Sequence, residues 1–138
     1  MIEAQRAVAY VYDTLKADAT FNAAIGGRLY RDQVPQAATL PAGIVSLVSS
    51  TDSMTLGADR VFAVALIDVH LIGAGSSYAP INAAADRADA VLSNSVGSSG
   101  GVHVVELRRE QVQAFLEVDA GTTFSHLICT FRSECHSI

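Results

Sequence analysis

The longest apolar run in the chain is Arg60 to Ile72, and its composition indicates a β-strand. Side chains alternate between the two faces of a strand. The first face carries only apolar residues, which are Val61, Ala63, Ala65, Ile67, Val69 and Leu71. The second face begins apolar and becomes polar, with Phe62, Val64, Leu66, Asp68, His70 and Ile72. A half-solvated strand would alternate apolar with polar residues. We therefore expect the second face to be covered by another layer of the chain or by another subunit.

Three helices are predicted around this strand. Apolar residues recur at helical spacing from Ile2 to Lys16 and again after Pro80, where the stripe runs from Ile81 to Leu92. A short helix, ATFNAAI, lies between them, with Asp18 as its N-cap and Gly26-Gly27 at its end.

The remaining strands are predicted from shorter apolar runs. Ile44 to Ser50 is expected to form a long hairpin with the central strand through the segment Thr51 to Asp59. The closing strands are predicted at Val102 to Arg108, at Val112 to Val118 (a separate strand or a bent continuation) and at Thr123 to Ser133. Arg28 to Arg31 reads as a short extended piece, and Asn94 to Gly101 as a flexible linker.

This order of elements does not alternate strictly, which predicts the α+β class. We expect an antiparallel or mixed sheet of four to five strands with helices packed on one face. The length of 138 residues suits a single domain, residues 1–138.

Composition and charge exclude several classes of protein. Half of the residues are apolar and the formal net charge is −5, with Lys16 as the single lysine. A general nucleic-acid binder needs a basic face, and the chain offers no positive cluster beyond Arg108 and Arg109. No apolar stretch reaches the roughly 18 residues of a membrane helix, and the N-terminus does not have the pattern of a signal peptide. We therefore expect synthesis inside the cell and no membrane partner.

The sequence offers little catalytic chemistry. It has no phosphate loop, and Gly73 and Gly75 supply only part of a dinucleotide fingerprint. The four histidines are isolated along the chain, so no metal site is expected. Cys129 and Cys135 lie about 20 Å apart if they share the last strand, too far to pair with each other. We expect no catalytic residue, no metal and no cofactor.

Two features nevertheless suggest contacts with other molecules. Met54 and Leu56 fall near the tip of the long hairpin, where they either form a contact surface or fold back into the core. Asp68 and His70 share one face of the central strand, which leaves open a small enzyme or ligand-binding domain if a third polar group joins them in a cleft.

Several weak motifs occur in an order that resembles the tail terminator (tail completion) proteins of long-tailed bacteriophages. The first is IGGRLYRDQVPQAATLPAG, with Gly26, Gly27, Arg28, Leu29, Tyr30, Pro35, Gln36 and Pro41. The central strand follows the family pattern from Arg60 through aliphatic residues to Asp68, Val69 and His70. Ala84, Asp86 and Leu92 in the third helix and the closing hairpin around Asp119 and Gly121 also fit. The likeness covers nearly the whole chain.

The resemblance implies a structural protein and no enzymatic activity. Members of this family form hexameric rings that cap the tail tube, stop its polymerisation and join the tail to the head-side connector or stopper protein, while DNA passes through the lumen without specific binding. It implies a location in the virion tail or neck after assembly in the host cytoplasm. The alternative within the same class is another neck or head–tail joining component of similar fold.

Combined with the two-faced central strand, the resemblance predicts where this chain meets its partners. The candidate contacts with a neighbouring subunit or with the tube are Met54, Leu56, Arg60, Phe62, Val64 and Leu66.

Overall fold

The architecture was obtained from a computed structural model, which describes residues 2–54 and 60–137; for positions 54, 60, 61 and 137 only the backbone is described. The helices are α1 (Glu3–Lys16), α2 (Ala19–Ile25) and α3 (Ala79–Leu92). The strands are β1 (Leu29–Arg31), β2 (Ala42–Met54), β3 (Arg60–Ala74), β4 (Gly97–Ser99), β5 (Val102–Asp119) and β6 (Thr122–Ser137).

The strands form one mixed sheet in the order β1-β2-β3-β6-β5-β4. Every neighbouring pair is antiparallel except β1 and β2, which are parallel. The α+β class is therefore confirmed, but the expected four to five strands are wrong, because the sheet has six.

Two short strands, β1 and β4, account for the difference. β1 falls in the predicted extended piece Arg28 to Arg31, and β4 comes from a stretch that sequence pattern cannot assign. β4 lies inside the segment 94–101 that was predicted to be a flexible linker, and it pairs with Val102 to Val104. A strand of three residues is too short to show an alternating pattern, so its existence depends on the neighbour that it pairs with.

The long strands exceed their predicted limits. β2 continues to Met54 because its ladder with β3 persists through the polar residues that were predicted to be a loop. β5 is one continuous strand, so the bent continuation is the correct alternative. Its ladder with β6 shifts register between Val104 and Glu106 and again between Arg109 and Gln111, and such bulges bend a strand and increase its twist.

The helices pack on one face of the sheet, as predicted. All the described side chains on the first face of β3, from Ala63 to Leu71, are buried, and they form one core with the apolar stripes of α1 and α3. Cys129, Phe131 and Cys135 of β6 are buried on the same side. Both cysteines are free, and burial raises the pKa of each thiol, to about 11 for Cys135.

Asp18 fixes the start of α2 and also ties it to α3. Its Oδ2 accepts a hydrogen bond of 2.8 Å from the Phe21 backbone N–H, which confirms the predicted N-cap. The Arg87 guanidinium donates to both carboxylate oxygens, at 2.9 and 2.8 Å. The hydrogen bond from Arg87, followed by the one from Phe21, lowers the pKa of Asp18 to about 2. α2 ends as predicted at Gly26, whose φ of 63° is left-handed.

Candidate functional site

The sheet face opposite the helices, here called the open face, carries the second side of β3. Its described side chains on β3, from Phe62 to Ile72, are all partly exposed. The segment 32–41 lies over one end, because its residues line a pocket together with Ile72, Phe124 and His126. The predicted second layer is thus present at this end of the open face, whereas the helices cover only the opposite side of the sheet.

Three of the predicted contact residues have described side chains, and these fall at the other end of the open face. Phe62, Val64 and Leu66 lie there in one row, half-buried among side chains of β2 and β6. Met54 ends β2 opposite Arg60, the first residue of β3. Leu56 lies outside the described residues. The structure brings five of the six positions to the β2–β3 end of the sheet, and their role in contacts stays a prediction.

Charged side chains of β5 and β6 form a network beside this row. The Arg132 guanidinium lies 2.8 Å from Glu134, 3.8 Å from Glu110 and 3.9 Å from Glu106. Arg108 approaches the same Glu106 carboxylate at 3.2 Å. Three carboxylates therefore surround two guanidinium groups, so this part of the open face is mildly acidic.

Two histidines that are distant in sequence meet near the covered end of the open face. His70 Nε2 lies 2.8 Å from His126 Nδ1, and His126 Nε2 lies 3.0 Å from a Glu117 carboxylate oxygen. Since the ionised carboxylate can only accept, His126 donates to it from Nε2. Which of the two rings donates in the His70–His126 hydrogen bond depends on their tautomers. Burial, more than the neighbouring His126, lowers the pKa of His70. The prediction that the histidines are isolated is therefore wrong.

The sheet register explains why sequence spacing missed this pair. His70 is opposite Ile128 in the β3–β6 ladder, so His126 is its diagonal neighbour on the same face. Phe115 of β5 stacks on the His126 ring with a centroid distance of 4.5 Å. His70 and His126 are far apart in sequence, so no local pattern indicates that they meet. The contact could be predicted only from the register of the strands that carry His70, His126 and Phe115.

The catalytic alternative receives little support from this geometry. Asp68 accepts a hydrogen bond of 2.7 Å from the Thr130 hydroxyl, while His70 pairs with His126. The adjacent pocket has a volume of about 270 Å³ and is lined mainly by apolar side chains, with Glu117 and His126 as its charged or titratable members. Across residues 2–54 and 60–137, no group of three or more His, Cys, Asp or Glu side chains is arranged to hold a metal ion.

Four of the exposed large apolar side chains among the described residues lie on β5, in its hairpin with β6. Its apolar side chains are between two-fifths and three-quarters exposed, and they are Val112 (46%), Phe115 (42%), Leu116 (48%) and Val118 (71%). Val112, Leu116 and Val118 point to the helix side, because they pair with Cys129, Ser125 and Thr123. A row of exposed apolar residues on a strand is typical of a contact surface.

Taken together, the six-stranded sheet with helices on one face, the partly exposed apolar row and the apolar hairpin define an α+β subunit with surfaces suited to assembly. A family model described as "Tail completion protein gp17" matches residues 9–133. The chain therefore belongs to this family, which confirms the resemblance found in the sequence. It is a structural tail protein of the bacteriophage type.

Solved structures add a relative of similar size. A chain from the virion of a native gene transfer agent (GTA) particle matches with 26% sequence identity and a TM-score of 0.69, covering 93% of this chain and 92% of that one. No curated protein matches the sequence. Within the described part of the chain, the helices are too short or too polar to cross a membrane.

Proposed function

We propose that this protein is a ring-forming tail terminator that caps the tail tube, stops its polymerisation and joins the tail to the head-side connector or stopper protein. The observation that carries the proposal is the match to the tail completion family over residues 9–133. The likeness to a chain of the gene transfer agent virion adds support for a place in the virion. We further propose that residues 1–138 act as one tail-terminator-like domain, assembled in the host cytoplasm.

The subunit is proposed to form a homo-hexamer around a lumen through which DNA passes. A closed ring requires two different surfaces that meet head to tail, and the apolar row and the apolar hairpin belong to different parts of the sheet. The mildly acidic open face suits a lumen wall, since binding to DNA phosphates depends on positive charge. Met54, Leu56, Arg60, Phe62, Val64 and Leu66 are proposed to lie in or beside the contact with a neighbouring subunit or the tube.

Solution mass and tube capping test this function in two steps. Light scattering behind size exclusion, at several protein concentrations, should show a species of about six subunits or a climb towards it. Purified protein added to polymerising tail tube protein should then arrest elongation and be found at one tube end by electron microscopy.

Two results would contradict the proposal. A ring that binds head-side connector protein but leaves tube elongation unchanged would favour another neck component. A protein that stays monomeric at every concentration, and also in the presence of tubes, would remove the basis for a terminator.

A further inference from the structure

The long strands β2 and β5 are each paired on their outer side with a short strand over only part of their length. β1 pairs with β2 at Gly43 to Val45, and β4 pairs with β5 at Val102 to Val104. In the described residues, positions 46–54 of β2 and 108–119 of β5 have no strand on their outer sides. The outward backbone N–H and C=O groups of such edges are a template for another strand.

The directions of these two edges are complementary. β2, β3, β6 and β5 alternate in direction, so β5 runs opposite to β2. A second copy placed head to tail in the same orientation would therefore set its β2 antiparallel beside β5. The helices of both copies would lie on the same side of the joined sheet, so neither core would have to be rearranged.

The side chains of the two edges are also compatible. The β2 edge begins with the uncharged run Ser46 to Thr51 and exposes Val48, whereas isolated edge strands are usually protected by charges. Its one charged residue is Asp52, which points to the helix side because it pairs with Ala63. Arg109 of β5 points to that same side, where its guanidinium lies 3.6 Å from the Asp89 carboxylate of α3.

We propose that β5 of one copy pairs antiparallel with the outer edge of β2 of the next copy, so that the sheets of neighbouring subunits join into one continuous wall. This inference rests on the proposed ring and specifies how it closes. The apolar side chains Val112, Leu116 and Val118 would then lie beside the next subunit instead of in solvent. A β5–β5 pair would also be antiparallel, but it would leave both β2 edges open and could not close a ring.

Engineered cysteines test the pairing directly. Directly opposite Cα atoms in an antiparallel ladder are about 4.5–5.5 Å apart, within the range that a disulfide bridges. Gln111→Cys or Gln113→Cys supplies the β5 thiol, and Ser49→Cys or Thr51→Cys supplies the β2 thiol. All four positions face the open side. The four combinations sample three registers, because Gln111 opposite Thr51 and Gln113 opposite Ser49 belong to the same one. The native thiols are buried with raised pKa values, so their background reaction should be slow.

After mild oxidation, at least one double variant should give a ladder of covalent oligomers on a non-reducing denaturing gel, ending at the size of the ring. Each single variant should stay monomeric on the gel. The matched control combines Ala114→Cys with Ser49→Cys, which face opposite sides of the sheet; it should also stay monomeric.

The mass of each variant is measured before oxidation, which separates the two proposals. Rings that form normally but give no ladder in any combination would overturn the edge pairing and leave the terminator function standing. Covalent dimers from a single β5 variant would overturn it in favour of β5–β5 pairing. Variants and wild type that are all monomeric, both alone and in the presence of tubes, would contradict the ring itself.

Discussion

A single carboxylate, Asp18, connects two helices that have no sequence proximity. It serves as the N-cap of α2 and as the partner of Arg87 in α3. Its folded-state pKa of about 2 lies below the ordinary value of 3.8. A carboxyl group whose pKa is lowered by folding adds stability above the unfolded pKa and loses that contribution as the pH falls towards the folded pKa. The contribution of Asp18 is therefore complete at neutral pH and is lost between about pH 4 and 2.

Replacing Asp18 by Asn should separate the cap from the ion pair. Asn still caps a helix but cannot pair with Arg87 as an anion. We expect Asp18→Asn to unfold at lower urea concentration than the wild type at pH 7, and the difference to shrink as the pH is lowered towards 2. The measurement is urea unfolding followed by circular dichroism. An equally large difference at both ends of this range would show that the ion pair is not its origin.

Val64 and Leu66 belong to the apolar row on the open face, and both are only partly buried. Val64→Asp and Leu66→Asp should therefore fold, but each places a charge in or beside the proposed contact, where an unpaired charge is costly. For each variant, we expect that either ring assembly or tube capping requires at least a tenfold higher protein concentration than in the wild type. Val96→Asp, at an apolar position that is 61% exposed on the connection before β4, is the control for the added charge. Wild-type ring mass together with wild-type capping would refute the contact.

In the β5–β6 hairpin, both the sequence of β5 and its pairing with β6 determine which side chains face each side of the sheet. The alternation of residues along β5 defines its two sides, and the bulges at Val104/Glu106 and Arg109/Gln111 break that alternation. β5 continues to Asp119, where its ladder with β6 still holds. The apolar side chains on its helix side are therefore held in fixed positions but remain exposed.

Leu116→Lys and Val118→Lys test whether the hairpin takes part in assembly. Because the two side chains are 48% and 71% exposed, the free energy of unfolding of the isolated subunit should change by no more than about 0.5 kcal/mol. Assembly should weaken, because lysine is strongly hydrated and protects an edge from pairing. Val96→Lys provides a matched exposed control. The measurements are chemical unfolding and light scattering; unchanged assembly in both hairpin variants would argue against an interface there.

In the proposed ring, the charge of the open face determines how strongly the lumen wall binds DNA. Glu106 and Glu117 point to this face, and Glu110 approaches Arg132 within it. If these carboxylates line the lumen, they keep DNA phosphates from binding to the wall.

Replacing Glu106, Glu110 and Glu117 together by Lys should slow the passage of DNA, because each lysine adds a phosphate-binding group. The measurement is genome delivery into host cells by particles that contain the variant, with the Gln triple variant as a neutral control. Delivery at the wild-type rate by the Lys variant, in particles with normal tails, would exclude these residues from the lumen wall.

The amino-acid sequence by itself determined the periodic features of this protein. Helical spacing defined the buried stripes of α1 and α3, the alternation along β3 separated the core side from the open face, and Asp18 and Gly26 marked the ends of α2. These features follow from the short-range geometry of each element, so a local pattern is enough to predict them. The ordered motifs from Gly26 to Gly121 also sufficed to indicate the family, which the match over residues 9–133 confirms.

Only the tertiary structure decided which distant residues meet. The strand β4, the extension of β2 to Met54, the pairing of His70 with His126 and the uncovered edges of β2 and β5 all depend on register across several strands. Register is set by the combined packing of the whole sheet against α1 and α3, and no window of neighbouring residues contains that information.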